Sequence, residues 1–485
     1  MLATTTGGPV RGRRVIAGVG VAGSAGRTVH HFGGVPYARA ERFGLPQPPQ
    51  PWSAPLDATR AGAAPPQRIA GLELVPGMAP EATAEQCLTA EVWTTSVDGS
   101  RPVLVWIPGG SFRLGGAGLA TYDGRHLAAD GDVVVIGLNY RLGLLGFLDT
   151  PGVPSNLGLR DLLAALEWVR CNAARFGGDP SRVTLIGESA GAGAIYHLLA
   201  RPTLPCAGAI VISGSPTMTQ TEAIATSVGS RVLELAKASS IADLMHRSVD
   251  DLLDLQDQAV ADLARSVGMM PFHPWVDGVV VPVAPLAAAA AGTLASIPLV
   301  IVTTADEMEL FRPMVPSVPA EYALAMLTAK GATLGLNAAA VARGYNATGD
   351  DLVSAIADID LHLPALAIAR SQHRRGLPVW RATFTWQSAA HRACHAVDLP
   401  FHFGTLDVDG WRDFVGAVEP VARTAAEGLS TAVRQAWVAF AHTAVPECSP
   451  IGAWPAFDGG DTLVELGPIV RIVQDPAGER LRSWQ

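Results

Sequence analysis

The sequence predicts an α/β fold: a mostly parallel central sheet flanked by helices, with helical excursions that cap it. Two observations predict it. Short apolar, β-branched runs recur along the chain, and helical patterns follow them. Strands that are apolar on both faces belong inside a sheet covered on both sides. There is also no internal repeat and no Ser/Pro-rich linker, so residues 1–485 read as one domain.

The elements follow in order. Val10, Val15, Ile16, Val19 and Val21 are β-formers broken by glycines, which reads as an N-terminal hairpin. Buried strands are expected at Val103–Ile107, Val133–Ile136, Val183–Ile186, Ala209–Ser213, Leu299–Thr303 and Trp380–Trp386. Between the second and third of these, Leu159, Leu162, Leu163, Leu166, Val169, Ala173 and Phe176 keep helical spacing. Gly177-Gly178-Asp179-Pro180 stops that helix. Residues 217–275 and 321–370 are helical in pattern, without a strong strand, and read as excursions capping a pocket.

Composition sets bounds. The chain is 49% hydrophobic and 16% charged, so it can bury a large core and is not disordered. Its formal net charge is −9, and Lys237 and Lys330 are its only lysines. No dense basic block stands out, which argues against nucleic acid as a partner. Five scattered cysteines without a CxxC pair argue against a disulfide framework or a cysteine zinc site. No metal and no cofactor is expected.

Two segments imitate targeting or membrane signals. Arg13-Arg14 before an apolar stretch resembles a short twin-arginine leader, but Gly18, Gly20 and Gly23 spoil its helical core. The hairpin reading is preferred, and with it a cytoplasmic location over secretion. The uncharged run from Gly278 to Ala305 is long enough to span a bilayer. Pro282, Pro285, Gly292 and Pro298 divide it into turn, Ala-rich helix and strand, so no membrane span is expected.

Gly187-Glu188-Ser189-Ala190-Gly191 reads G-x-S-x-G. In a chain with 51 glycines, chance alone supplies roughly 0.3 such matches. Context makes it specific: a buried strand precedes it and a helix-compatible run follows. A turn of that kind strains the serine backbone and holds the hydroxyl above the strand end. Such a hydroxyl needs a base and an acid to orient the base. The acid is expected after a later strand, where Asp306 and Glu307 both stand. The base is expected further on, where His391, His395 and His402 all qualify. Gly109 and Gly110 follow the first buried strand. Their amides, with that of Ala190, can form a three-donor oxyanion hole.

Taken together, the chain resembles a type-B carboxylesterase of the α/β-hydrolase class. The resemblance covers nearly its whole length. It rests on Phe32–Ala38 (FGGVPYA), Glu85–Trp93 (EQCLTAEVW), Asn139–Gly143 (NYRLG), Asn156–Asp161 (NLGLRD), Phe176–Pro180 (FGGDP), Gly187–Gly191, Pro274–Gly278 (PWVDG) and Trp454–Phe457 (WPAF). Asp306-Glu307-Met308 is similar to the family's D-E-G, which implies Glu307 as the triad acid. His395–Phe401 (HAVDLPF) is similar to H-x-x-E-L-x-F, which implies His395 as the base. Departures are Pro108 where the family has histidine, Ala194 where it has serine, Met308 where it has glycine, and Cys87 without an evident partner.

The expectation is a serine carboxylesterase acting on small-molecule esters through Ser189, His395 and Glu307. Phe112, Glu188 and Phe403 are the candidate substrate-binding residues. Hydrolysis of amides, thioesters or carbamates by the same triad is the alternative, and an inactive binding module is a further one.

Overall fold

Each apolar run identified above becomes a strand of one sheet. The computed structural model describes residues 1–18, 26–69, 75–315, 318–345 and 349–484. Its strands are β1 (Leu2–Thr4), β2 (Pro9–Ala17), β3 (Arg27–Pro36), β4 (Leu56–Ala58), β5 (Thr89–Thr94), β6 (Arg101–Ile107), β7 (Val134–Leu138) and β8 (Gly178–Glu188). They continue as β9 (Gly208–Ile212), β10 (Leu299–Thr304), β11 (Val379–Phe384), β12 (Glu447–Cys448), β13 (Gly452–Ala453), β14 (Thr462–Leu466) and β15 (Arg471–Gln474). The main sheet runs β1-β2-β3-β5-β7-β6-β8-β9-β10-β11-β14-β15, with β4 added beside β2. Strands from β7 to β14 in that order are parallel, and both flanks are antiparallel.

The alternation of β6 explains why the sheet needs two covering layers. Val103, Val105 and Ile107 pack into one apolar cluster, while Leu104 and Trp106 pack into the other. In register, Val105 lies opposite Ile136 and Leu185. The helix Leu157–Asn172 covers one face, tightens into a 3-10 turn over Ala173–Phe176, and ends at Gly177. Gly177 adopts φ 75°, a left-handed cap suited to glycine.

Strand ends shift by a residue or two from expectation: β7 begins at Val134 and reaches Leu138, and β11 is Val379–Phe384. β5 was not anticipated, because Glu91 breaks its apolar run. The fold buries that carboxylate by giving it partners. His31 lies 2.8 Å away, and the N–H groups of Gly34 and Gly62 donate to it at 2.8 and 2.7 Å.

The N-terminal hairpin forms as β2 and β3, with Val15 opposite Val29. Val19 and Val21 lie outside the described residues. The 278–305 run folds as a turn, the helix Pro285–Ala291 and β10. The first excursion contains helices Glu222–Leu235, Ala242–Met245 and Val249–Leu263. The second contains Ala320–Ala332, Ala338–Gly344, Gly349–Ala357, a π turn at Asp358–His362, and Leu363–Arg374. The stretch Leu352–Arg374 is long and apolar enough to cross a bilayer, but 83% of its apolar window is buried in the fold. All five cysteines are free.

Candidate active site

Ser189 sits between β8 and the helix Ala190–Leu199 at φ 55°, ψ −122°. That strained backbone exists because neighbouring chains press against the turn. A Cβ on Gly191 would stand 2.0 Å from the Ile107 carbonyl oxygen, and one on Gly187 would stand 2.8 Å from the Gly191 backbone. Only glycine fits at either place, which is the physical content of the pentapeptide.

His395 Nε2 lies 2.8 Å from Ser189 Oγ, and its Nδ1 lies 2.8 Å from Glu307 Oε2. The other Glu307 oxygen accepts the Thr304 N–H at 2.8 Å. The His395 N–H donates to the Glu307 carbonyl at 3.1 Å, which ties the two loops together. Glu307 is fully buried and His395 is 7% exposed. Burial opposes charge on Glu307, yet its bond to His395, with His362 and the Thr304 N–H, holds its carboxyl below the ordinary value. Burial likewise favours a neutral His395, but Glu188, Glu307 and Asp398 together carry its pKa above that of an ordinary histidine.

The competing candidates have other partners. Asp306 accepts the Ala393 N–H at 3.2 Å and pairs with Arg392 at 2.9 Å, bracing the loop that carries His395. His391 stacks on Phe414. His402 lies 3.0 Å from Asp398 and takes the Trp437 indole N–H.

The glycine pair approaches the nucleophile closely. A Cβ on Gly109 would meet Glu188 Oε2 at 2.6 Å and Ser189 Cβ at 3.0 Å. Gly110, Ser111 and Phe112 all have positive φ, turning the loop sharply after β6. Among the described hydrogen bonds, the N–H groups of Gly109, Gly110 and Ala190 donate to no protein acceptor. Three free donors near a nucleophilic oxygen can stabilise a developing oxyanion.

Of the three residues expected to bind substrate, one borders the site. Glu188 Oε1 lies 3.3 Å from His395 Nε2 and has no hydrogen-bond partner. Burial pushes its carboxyl up to about 8. Phe112 and Phe403 are core side chains instead. Phe112 packs edge-on against Phe147, and Phe403 packs against Trp106 and Tyr122, with 0% and 1% exposure. Neither ring has surface to offer a substrate. Sequence reasoning missed Phe311, whose ring lies 5.4 Å from that of His395. It stands between Glu309 and Arg312 in sequence, where nothing marks it as a neighbour of the histidine.

The departures from the family pattern are accommodated. The Pro108 carbonyl accepts the Tyr140 hydroxyl at 3.0 Å. Met308 sits in a 3-10 turn at negative φ, so no glycine is required there. Ala194 is fully buried. Among the described residues, no cluster of three or more His, Cys, Asp or Glu side chains is arranged to hold a metal ion.

Comparison with known proteins places the chain in a family. The model of the carboxylesterase family matches residues 1–477. The chain is 35% identical to the para-nitrobenzyl esterase of Bacillus subtilis (strain 168), over 95% of this chain and 96% of that one. It is 30% identical to the phenmedipham hydrolase of Pseudarthrobacter oxydans, over 93% of each. A solved PNB esterase structure superposes with a TM-score of 0.88 at 33% identity, covering 100% of this chain and 99% of the other.

Proposed function

The chain belongs to the carboxylesterase family, has the α/β-hydrolase fold and is a hydrolase acting on carboxylic esters; on that premise, we propose that it works through a Ser189–His395–Glu307 triad and an acyl-enzyme. Ser189 Oγ attacks the ester carbonyl while His395 Nε2 takes its proton. Glu307 holds the ring by Nδ1–H and stabilises the imidazolium. The amides of Gly109, Gly110 and Ala190 receive the tetrahedral oxyanion, each contributing about 3 kcal/mol. His395 then gives its proton to the leaving alcohol. Water, activated by the same ring, hydrolyses the acyl-enzyme and releases the acid.

The observation that supports this most strongly is the unbroken chain of two 2.8 Å contacts, Ser189 to His395 to Glu307. It joins residues 206 and 88 positions apart, which chance packing of buried polar groups does not produce readily. Ser189→Ala should lower p-nitrophenyl acetate hydrolysis by roughly 10^4-fold or more. A wild-type rate in that variant refutes the triad.

A second reading extends the same machinery to carbamates. The relatives' names leave room for it, since they denote more than one substrate, the para-nitrobenzyl esterase and the phenmedipham hydrolase among them. Rates on matched ester, anilide and carbamate substrates decide the order of preference. Labelling of Ser189 by a fluorophosphonate separates any of these enzymes from an inactive binding module.

A further inference from the structure

We propose that His362 is a positioning residue for the triad: a buried imidazolium that fixes the Thr304–Glu307 turn and offsets part of the negative charge that Glu307 presents to His395. The proposal rests on the triad reading above and extends it by one layer.

The local structure begins with a proline. Pro364 has no N–H to give the Asp360 carbonyl four residues back. The helix opens into the π turn Asp358–His362 just before it, and the Asp360 carbonyl accepts the Ser215 hydroxyl at 2.5 Å. This turn carries Asp358 and His362, which are 1% and 6% exposed.

The charge of His362 follows from what faces it. Nε2 lies 3.0 Å from the Thr304 carbonyl oxygen, which can only accept, so Nε2 carries a proton. Nδ1 lies 3.0 Å from Asp358 Oδ1. Asp358 also pairs with Arg480 at 2.9 Å and receives the Trp484 indole N–H at 3.1 Å, an environment for a carboxylate rather than a carboxylic acid. Nδ1 therefore carries a proton too, and the ring is a cation. Asp358 and Glu307 raise the pKa of His362 against the opposing effect of burial.

Thr304 transmits the effect. Its carbonyl receives His362, and its N–H donates to Glu307 Oε1 at 2.8 Å. The surrounding charges pair off. Asp360 is matched by Lys330 at 2.5 Å and Arg381 by Asp475 at 2.6 Å, a pair that lines a cavity of about 130 Å³ together with His362, while Asp358 faces both His362 and Arg480. His362 and Arg480 together outnumber Asp358, which leaves one net positive charge on the side of Glu307. A positive charge there offsets part of the negative charge of Glu307 and so limits how far that carboxylate raises the pKa of His395.

His362→Gln tests this, because the amide can still donate to the Thr304 carbonyl but carries no charge. Loss of the cation makes the site more negative, so His395 holds its proton to higher pH. The acid limb of kcat/KM for p-nitrophenyl acetate should move up by about 0.5–1 pH unit, with KM within about twofold. Adding Asp358→Asn removes the matching anion and should bring the limb back toward wild type. An unmoved limb in a folded His362→Gln protein overturns the proposal, as does a double variant displaced as far as the single one. Nitrogen-15 NMR of the Ser189→Ala protein supplies a readout that needs neither activity nor a stable His362 variant. The His362 ring should show two N–H protons at pH 7.5, and a ring with one overturns the proposal. Failure of the wild-type chain to hydrolyse esters would instead refute the triad reading, with the NMR result still deciding the charge of His362.

Discussion

Glu188 Oε1 lies 3.3 Å from Nε2 of His395, the same nitrogen that meets Ser189 Oγ at 2.8 Å. The base is thus shared between its nucleophile and a second buried carboxyl. Each time Glu188 ionises, it stabilises the imidazolium, which makes His395 a stronger base but leaves it protonated, and so unable to accept the Ser189 proton, up to higher pH.

The pH profile should report this pairing. Glu188 raises the pKa of His395, so Glu188→Gln should lower it. The acid limb of kcat/KM should move to lower pH by about one unit. A limb that stays in place, measured on p-nitrophenyl acetate between pH 5 and 9, would show that Glu188 does not act on His395.

Glu307, the acid of the proposed triad, should matter through its charge. Glu307→Gln keeps the size of the side chain but leaves the imidazolium without a counter-ion. It should lower kcat by about 10^3- to 10^4-fold with little change in KM. Asp306→Asn, which loosens only the bracing of the His395 loop, should cost far less. Steady-state kinetics on the two variants side by side distinguishes them.

The close approach at Gly109 leaves no room for a methyl group. Gly109→Ala would press on Glu188 and Ser189 and displace the donor amides, so kcat should fall by about 100-fold or more. Its circular dichroism spectrum should remain that of the wild type.

Away from the site, Arg141 and Asp161 form a buried bidentate pair, with Nη2 and Nε at 2.7 and 2.8 Å from the two oxygens. Asp161 is fully buried. Arg141→Met leaves that carboxylate unpaired and should destabilise the fold by roughly 3–5 kcal/mol in urea unfolding. Loss of stability near zero would mean that water reaches Asp161.

The parts that were legible in the chain share a reason. The runs Val103–Ile107, Val183–Ile186 and Leu299–Val302 in β6, β8 and β10 are short and apolar on both faces, so their composition alone marks them as buried. The elbow at Ser189 was legible because strand, pentapeptide and helix run consecutively. The choice of Glu307 over Asp306 was not, since adjacent carboxylates differ only in which way the 3-10 turn points them; there the family resemblance supplied the answer. Phe112 and Phe403 were misplaced because an aromatic ring near a catalytic motif reads the same whether it faces a pocket or the core. His362 escaped notice because a π turn breaks the helical period, and its partners Thr304 and Asp358 are distant or unremarkable in sequence. β5 was missed because a buried Glu91 imitates an exposed residue.

The central claim is that Ser189 is made nucleophilic by His395. The most direct test is covalent labelling by a fluorophosphonate at pH 8, followed by intact mass and peptide mapping. One adduct per chain should form on the peptide carrying Ser189, and His395→Ala should abolish it at the same exposure. An unlabelled wild-type protein, or an adduct that forms equally fast without the imidazole, would contradict the account.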